Sequence, residues 1–98
     1  MSEVVITERI FRFVCDWFGV TKEDVLSRCR KRVLVDARMV FCYSVRRHTN
    51  LPLAEIGRRI DRTHADVMHH IAIGVDCANE RMLNPTCHDA IAQVALSL

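Results

Sequence analysis

The sequence predicts an all-α fold, a bundle of five or six helices that contains a helix-turn-helix, and three observations support this prediction. Only three Gly and two Pro occur in 98 residues, too few for the many tight turns of a β fold. Apolar residues recur every three or four positions, which gives a helix one buried face. No segment shows the alternation that marks a half-buried strand. At this length we expect a single domain over residues 1–98.

Two helices are predicted in the first part of the chain. The first runs from Val4 to Phe18 and ends at Gly19, because glycine readily adopts the left-handed conformation of a C-cap. The residues of its apolar face, all expected in the core, are Ile6, Ile10, Phe13, Val14, Trp17 and Phe18. Thr21 and Asp24 resemble a capping box and predict the start of a short second helix.

The remaining helices follow a basic stretch. A long helix is predicted from about Val33 to His48, and Pro52 marks the break after it. A short helix over Leu53–Ile60, a longer one over Thr63–Asn79 and a last one from about Pro85 come next. The positions predicted to be buried in the two longer helices are Leu34, Ala37, Val40, Phe41, Val45, Val67, Ile71, Val75 and Ala78. The apolar residues of the last helix are Ile91, Val94, Ala95 and Leu98.

Basic residues are concentrated in the middle of the chain. Ten basic and three acidic residues lie between Arg28 and Arg62, a net charge of +7. The preceding segment has three basic and five acidic residues, and the following segment has one basic and four acidic residues. Charge concentrated in this way attracts polyanions, which indicates a nucleic acid as the partner.

The helices Leu53–Ile60 and Thr63–Asn79 have the proportions of a helix-turn-helix. In such a motif the N-terminal residues of the second helix enter the major groove, while the first helix crosses the DNA backbone. Arg58, Arg59 and Arg62 surround the turn between the two helices, where basic side chains meet phosphates. The pattern therefore predicts binding to double-stranded DNA.

The sequence lacks the residue patterns that catalytic and metal-binding functions need. Without a Gly-rich phosphate loop we expect no ATP and no other cofactor, and no motif positions a catalytic residue. His64, His69 and His70 are five and six residues apart, not at the i, i+4 spacing of a chelating pair, so no metal is expected. We assign His69 to packing or capping and His70 to the surface.

Three further features indicate the cellular setting. Five cysteines without a Cys-x-x-Cys pair are typical of buried small hydrophobes or free thiols in a reducing compartment. No apolar run approaches the ~20 residues of a membrane span, and the first residues lack a signal-peptide pattern. We expect a cytoplasmic protein associated with the nucleoid and not with a membrane.

Four segments follow the pattern of one known family. They are Val20-Thr-Lys-Glu-Asp-Val-Leu-Ser27, Arg28-Cys-Arg-Lys-Arg32, Leu53-Ala-Glu-Ile-Gly57 and His64-Ala-Asp-Val-Met-His69. In this order they resemble the short helix, the basic loop and the two halves of the helix-turn-helix in the C-terminal DNA-binding domain of the bacterial replication initiator DnaA. The resemblance implies a Trp-repressor-like fold, here as a free-standing domain without the initiator's ATPase domain.

The resemblance also implies roles for individual residues. Arg30 would read an A·T-rich minor groove, and Arg38 and Arg46 would contact phosphates. Leu53 and Ala54 would touch the backbone or a thymine methyl. The complete set of predicted DNA-binding residues is Arg28, Arg30, Lys31, Arg32, Arg38, Arg46, Leu53, Arg62, Thr63, His64, Ala65 and Asp66.

The residues expected to read bases are also those that depart from the family pattern. The turn is one residue shorter, and Thr63, Ala65 and Asp66 replace an aspartate and two threonines. The carboxylate of Asp66 would repel phosphate unless it caps its own helix or accepts a hydrogen bond from a cytosine amino group. We expect DNA binding to be retained, with a recognised sequence that differs from the family's usual box.

Two kinds of function remain open at this point. The first is sequence-preferring DNA binding in replication-origin or transcription regulation, with replication proteins as candidate partners, in a host cell, a phage or another mobile element. The second is a protein-interaction module, derived from this domain, that has lost specific DNA binding.

Overall fold

The computed structural model describes residues 2–98, and this part of the chain folds into six α-helices with no strand. A single 3₁₀ turn, Arg81–Leu83, precedes the last helix. The helices are α1 (Glu3–Phe18), α2 (Lys22–Leu26), α3 (Arg32–His48), α4 (Leu53–Arg59), α5 (His64–Asn79) and α6 (Pro85–Ser97). The predicted all-α fold is therefore confirmed, and each predicted helix is present.

Helix α3 is the centre of the bundle. It contacts all five other helices, and every residue from Ala37 to Val45 is buried. A helix that is surrounded in this way needs side chains that fill space on all sides. Phe41 packs edge to face against Phe11 of α1, with 5.3 Å between the ring centroids. The long apolar run of α3 thus holds the other helices in fixed positions.

The predicted helix boundaries have clear local causes. Thr21 and Asp24 form a capping box at the start of α2, and each accepts a hydrogen bond from the other's backbone N–H. Gly19 ends α1 with a φ of 67°, in the left-handed region that favours glycine. Asn84 caps α6 by accepting from the N–H of Cys87, and Pro85 occupies the first helical position.

Two glycines allow α5 to pack closely against its neighbours. Gly57 of α4 lies against the carbonyl of Arg62, and a Cβ here would overlap that oxygen and press on the side chain of Val67. Gly74 of α5 faces the ring of Tyr43 in α3, and a Cβ here would come within 2.6 Å of the Tyr43 Cβ. Both contacts require the smallest residue, and together they fix α5 relative to α3 and α4.

Several positions predicted to be buried are exposed. Val75 is 42% exposed, because α5 turns Gly74 and Cys77 toward the core instead. Trp17 is 40% exposed and stacks on Phe13 at the surface of α1. Of the apolar residues of the last helix, Ile91 and Val94 are buried, whereas Ala95 and Leu98 lie beyond the last core residue of α6 and are exposed.

The five cysteines are free thiols in the part of the chain that the structure describes. Cys42, Cys77 and Cys87 are buried, as expected for small hydrophobic residues, and Cys15 and Cys29 are half-buried. Burial raises the pKa of the Cys42 thiol to about 12, so this side chain stays neutral. Within residues 2–98 no helix is both long enough and apolar enough to cross a membrane.

Candidate nucleic-acid interface

The N-terminus of α5 is exposed and is held by its own capping box. The hydroxyl of Thr63 accepts from the N–H of Asp66 at 3.2 Å, and the Asp66 carboxylate accepts from the N–H and the hydroxyl of Thr63 at 3.3 and 3.0 Å. These hydrogen bonds hold the pKa of Asp66 below its ordinary value. Asp66 therefore caps its own helix, the first of the two possibilities considered for it, and leaves His64 and Ala65 as exposed, uncommitted side chains.

Residues 27–31 form a loop between α2 and α3, here called the basic loop, and Arg38 holds it from inside. The Arg38 guanidinium donates to the carbonyls of Val25 and Cys29 at 2.8 Å, of Ser27 at 2.8 Å and of Asp24 at 3.2 Å. Arg38 is only 3% exposed. The expected phosphate contact of Arg38 is therefore wrong, because its donors are occupied by backbone carbonyls in the interior.

Arg62 connects the same loop to the turn of the helix-turn-helix. It donates to the carbonyl of Ser27 at 2.6 Å and to the carbonyls of Ile60 and Asp61 at 3.2 and 3.0 Å. Arg28 adds a peripheral ion pair to Asp61 at 3.4 Å. The half-buried Arg62 thus links the two segments, and Asp61 completes the shortened turn with a φ of 56°.

The other cations predicted to bind DNA differ in whether they already form an ion pair within the protein. Arg30, Lys31 and Arg46 are exposed and have no ion-pair partner among residues 2–98. Arg32 pairs with Asp36 at 3.2 Å, although its side chain remains 79% exposed. Exposed ion pairs of this kind are weak and exchange readily for a phosphate partner.

The predicted residues do not all lie together. Arg46, in the last turn of α3, and Leu53, in the first turn of α4, are outside the region of the basic loop. Leu53 is half-buried and packs against the core, so only part of its side chain is accessible. The structure instead brings the basic loop and the first turns of α5 to opposite sides of one groove.

This groove, here called the interface groove, has a volume of about 580 Å³. Its lining residues are Arg28, Arg30, Val35, Arg38, Arg62, Asp66, His69 and His70. The sequence interpretation of the two histidines is wrong, because His69 is exposed whereas His70 is half-buried. The sequence could not show which of these two adjacent histidines is buried, because the rotation of α5 decides which of them turns inward.

No group of three His, Cys, Asp or Glu side chains that could hold a metal ion occurs within residues 2–98. What the geometry provides is a short helix, a tight turn, a longer helix with an exposed N-terminus, and a basic loop fixed beside it. These features define a DNA-binding domain of the helix-turn-helix class.

Comparison with known proteins narrows this class to one family. The family described as bacterial DnaA protein helix-turn-helix matches residues 7–73, and the chain belongs to it. This family is a DNA-binding domain and is not itself catalytic. Membership also confirms the resemblance seen in the sequence.

The curated relatives are chromosomal replication initiator proteins DnaA. The protein from Oleidesulfovibrio alaskensis is 42% identical over 69 residues, 70% of this chain and 15% of the relative. The protein from Desulfatibacillum aliphaticivorans is 42% identical over 66 residues, 67% of this chain and 14% of the relative. The protein from Brucella abortus is 40% identical over 65 residues, 65% of this chain and 13% of the relative. The chain thus spans about one seventh of the length of these relatives.

Proposed function

We propose that this chain is a sequence-preferring, double-stranded-DNA-binding domain that reads two adjacent grooves at once. The N-terminus of α5 would enter the major groove, and the basic loop would enter the neighbouring minor groove. The observation that carries this proposal is the direct attachment of the basic loop to the helix-turn-helix, through the hydrogen bond from Arg62 to the Ser27 carbonyl. Because the two reading elements are attached, they can fit a duplex together with little loss of conformational freedom.

The bases would be read by few side chains. His64 and Ala65 are exposed at the start of α5, where an imidazole can reach a base edge and a methyl group can contact a thymine methyl. Arg30 is exposed in the basic loop and would enter a narrow A·T-rich minor groove. Since Thr63 and Asp66 are committed to the capping box, they contribute little direct reading. The preferred sequence should therefore differ from the family's usual box.

Phosphate contacts would come from exposed cations at both ends of α3. Lys31 and Arg32 lie at its N-terminus, Arg46 lies in its last turn, and Arg28 lies on the basic loop. Such contacts position a protein on the duplex without reading its sequence. The buried Arg38 is not part of this set.

The biological role that we propose is regulation of replication origins or of transcription. The relatives are named as replication initiators, and a DNA-binding domain of the same family with its own preferred site would act at origins or promoters that carry this site. Replication proteins are then candidate partners, and the chain would act at the nucleoid without ATP. Residues 1–98 would work as a single domain, which one continuous core supports.

Selection of duplexes from a random pool tests this proposal. The wild-type chain should enrich one motif with an A·T-rich step at the position of the basic loop. Arg30→Ala should lose the preference for that step and weaken binding by about tenfold, because a minor-groove arginine reads groove width and charge. Arg12→Ala is the matched control, since it removes the same charge from α1. An equal effect of both substitutions, or no enriched motif, would contradict sequence-preferring recognition.

One observation favours the second candidate function, a protein-interaction module. Helix α5 has no Arg or Lys and exposes Met68 and Val75 on its outer side. Exposed apolar side chains of this kind occur at protein interfaces. A chain of this type would have no specific DNA binding and would enrich no motif, so the same selection distinguishes the two candidates.

A further inference from the structure

The interface groove carries a strong positive charge. Arg28, Arg30, Arg38 and Arg62 line it, and Asp66 is the one acidic residue among its lining side chains. The Asp66 carboxylate already accepts two hydrogen bonds from Thr63. The groove is therefore suited to an anion.

The groove also lies on the path that a DNA strand would take. If the basic loop occupies the minor groove and α5 the major groove, the sugar-phosphate strand that separates these grooves must pass between the loop and α5. A phosphate on this strand would require positive charge and hydrogen-bond donors from the surrounding protein. The groove provides the charge from its outer arginines, Arg28 and Arg30, which are both exposed.

His70 forms part of the inner wall. Its Nδ1 is enclosed and has no hydrogen-bond partner among the described residues, and the half-buried side chain lines the groove. An enclosed N–H without an acceptor is rarer than an enclosed lone pair, which favours the tautomer with its proton on Nε2. Burial, followed by the nearby His69, lowers the pKa of His70, which favours the neutral ring. A neutral ring in this tautomer is a single hydrogen-bond donor.

We propose that the interface groove binds one phosphodiester of the DNA strand and that His70 donates a hydrogen bond to this phosphate through Nε2. This inference rests on the proposed function and extends it, because it assigns a contact to a residue on the inner side of α5. Arg28 and Arg30 supply the charge at the mouth of the groove. His70 supplies a directional hydrogen bond and no net charge.

The test compares His70→Leu with His70→Gln, which keeps a side-chain N–H donor. Affinity for a fixed duplex is measured by fluorescence polarisation at several salt concentrations. His70→Leu should weaken binding by about tenfold, the loss expected for one hydrogen bond to a charged group. It should leave the slope of log K against log salt unchanged, because no counterion-releasing charge is lost. His70→Gln should restore most of the affinity, whereas Arg30→Ala should reduce the slope by about one.

A second measurement on the wild-type chain does not depend on the variants. Nitrogen-15 spectra of the histidine rings should show a shift of the His70 Nε2 signal on addition of duplex, and no shift with inorganic phosphate at the same phosphate concentration. Equal affinity of all His70 variants, or an unshifted Nε2 signal in the duplex complex, would overturn the inference while DNA binding stands. A shift with inorganic phosphate and none with duplex would also overturn it, since the site would then bind free phosphate and not the DNA strand. If the wild-type chain binds no duplex at all, the proposed function fails instead.

Discussion

At the scale of single residues, arginines with similar sequence surroundings have different roles. Arg38 is buried and holds four backbone carbonyls, Arg62 joins a loop to a turn, and Arg30 is exposed with no ion-pair partner among residues 2–98. The planar guanidinium makes the first two roles possible, because it offers five N–H donors in a fixed geometry. Only arginines whose donors are free, or are held in weak exposed ion pairs, can meet phosphate.

The role of Arg38 leads to a prediction about stability. Arg38→Met should lower the free energy of unfolding by about 3 kcal/mol, because it removes four hydrogen bonds to backbone carbonyls and leaves those of Val25 and Cys29 without this donor. Arg38→Lys should recover little of this loss, since an ammonium group cannot reach four carbonyls at once. Urea unfolding followed by circular dichroism measures both values. If Arg38→Met had wild-type stability and only weakened DNA binding, the result would contradict this account and support the phosphate contact that the sequence indicated.

At the scale of helices, the ends were the most predictable features. The capping box at Thr21, the glycine at position 19 and Pro85 all lie where the structure begins or ends a helix. These signals are local, because each depends on hydrogen bonds within about four residues. The rotation of α5 was less predictable. Its inward residues depend on the contact between Gly74 and Tyr43, which lie far apart in sequence, and glycine carries no apolar signal.

The capping box of α5 leads to a prediction about pH. The pKa of Asp66 is lower in the folded chain than its ordinary value of 3.8. The carboxylate therefore contributes stability that is fully present above 3.8 and is lost as the pH falls through the lower folded value. Asp66→Asn keeps an oxygen acceptor but does not titrate. Urea unfolding at pH 6 and pH 3 should show a larger loss of stability in the wild type than in Asp66→Asn. Equal losses would mean that the capping box does not bind the ionised carboxylate preferentially.

At the scale of the whole molecule, the class of fold and the family follow from the sequence, whereas the arrangement of the interface does not. Periodicity and motif order indicated the helices and the helix-turn-helix, and both are present. The sequence also located the basic stretch but could not separate its buried arginine from its exposed ones. That distinction depends on hydrogen bonds such as Arg38 to Asp24 and Arg62 to Ser27, which join residues 14 and 35 positions apart. The same limit applies to Trp17, whose exposure is decided by what packs around α1.

The central claim is that the basic loop and the helix-turn-helix form one surface for duplex DNA. Titration of the wild-type chain with a random duplex, by fluorescence polarisation at increasing salt, tests it most directly. Five exposed cations of the proposed interface, Arg28, Arg30, Lys31, Arg32 and Arg46, could neutralise phosphates. We therefore expect log K to fall linearly with log salt, with a slope of about −4 to −5. No binding at about 50–100 mM salt, or an affinity that does not change with salt, would contradict the claim.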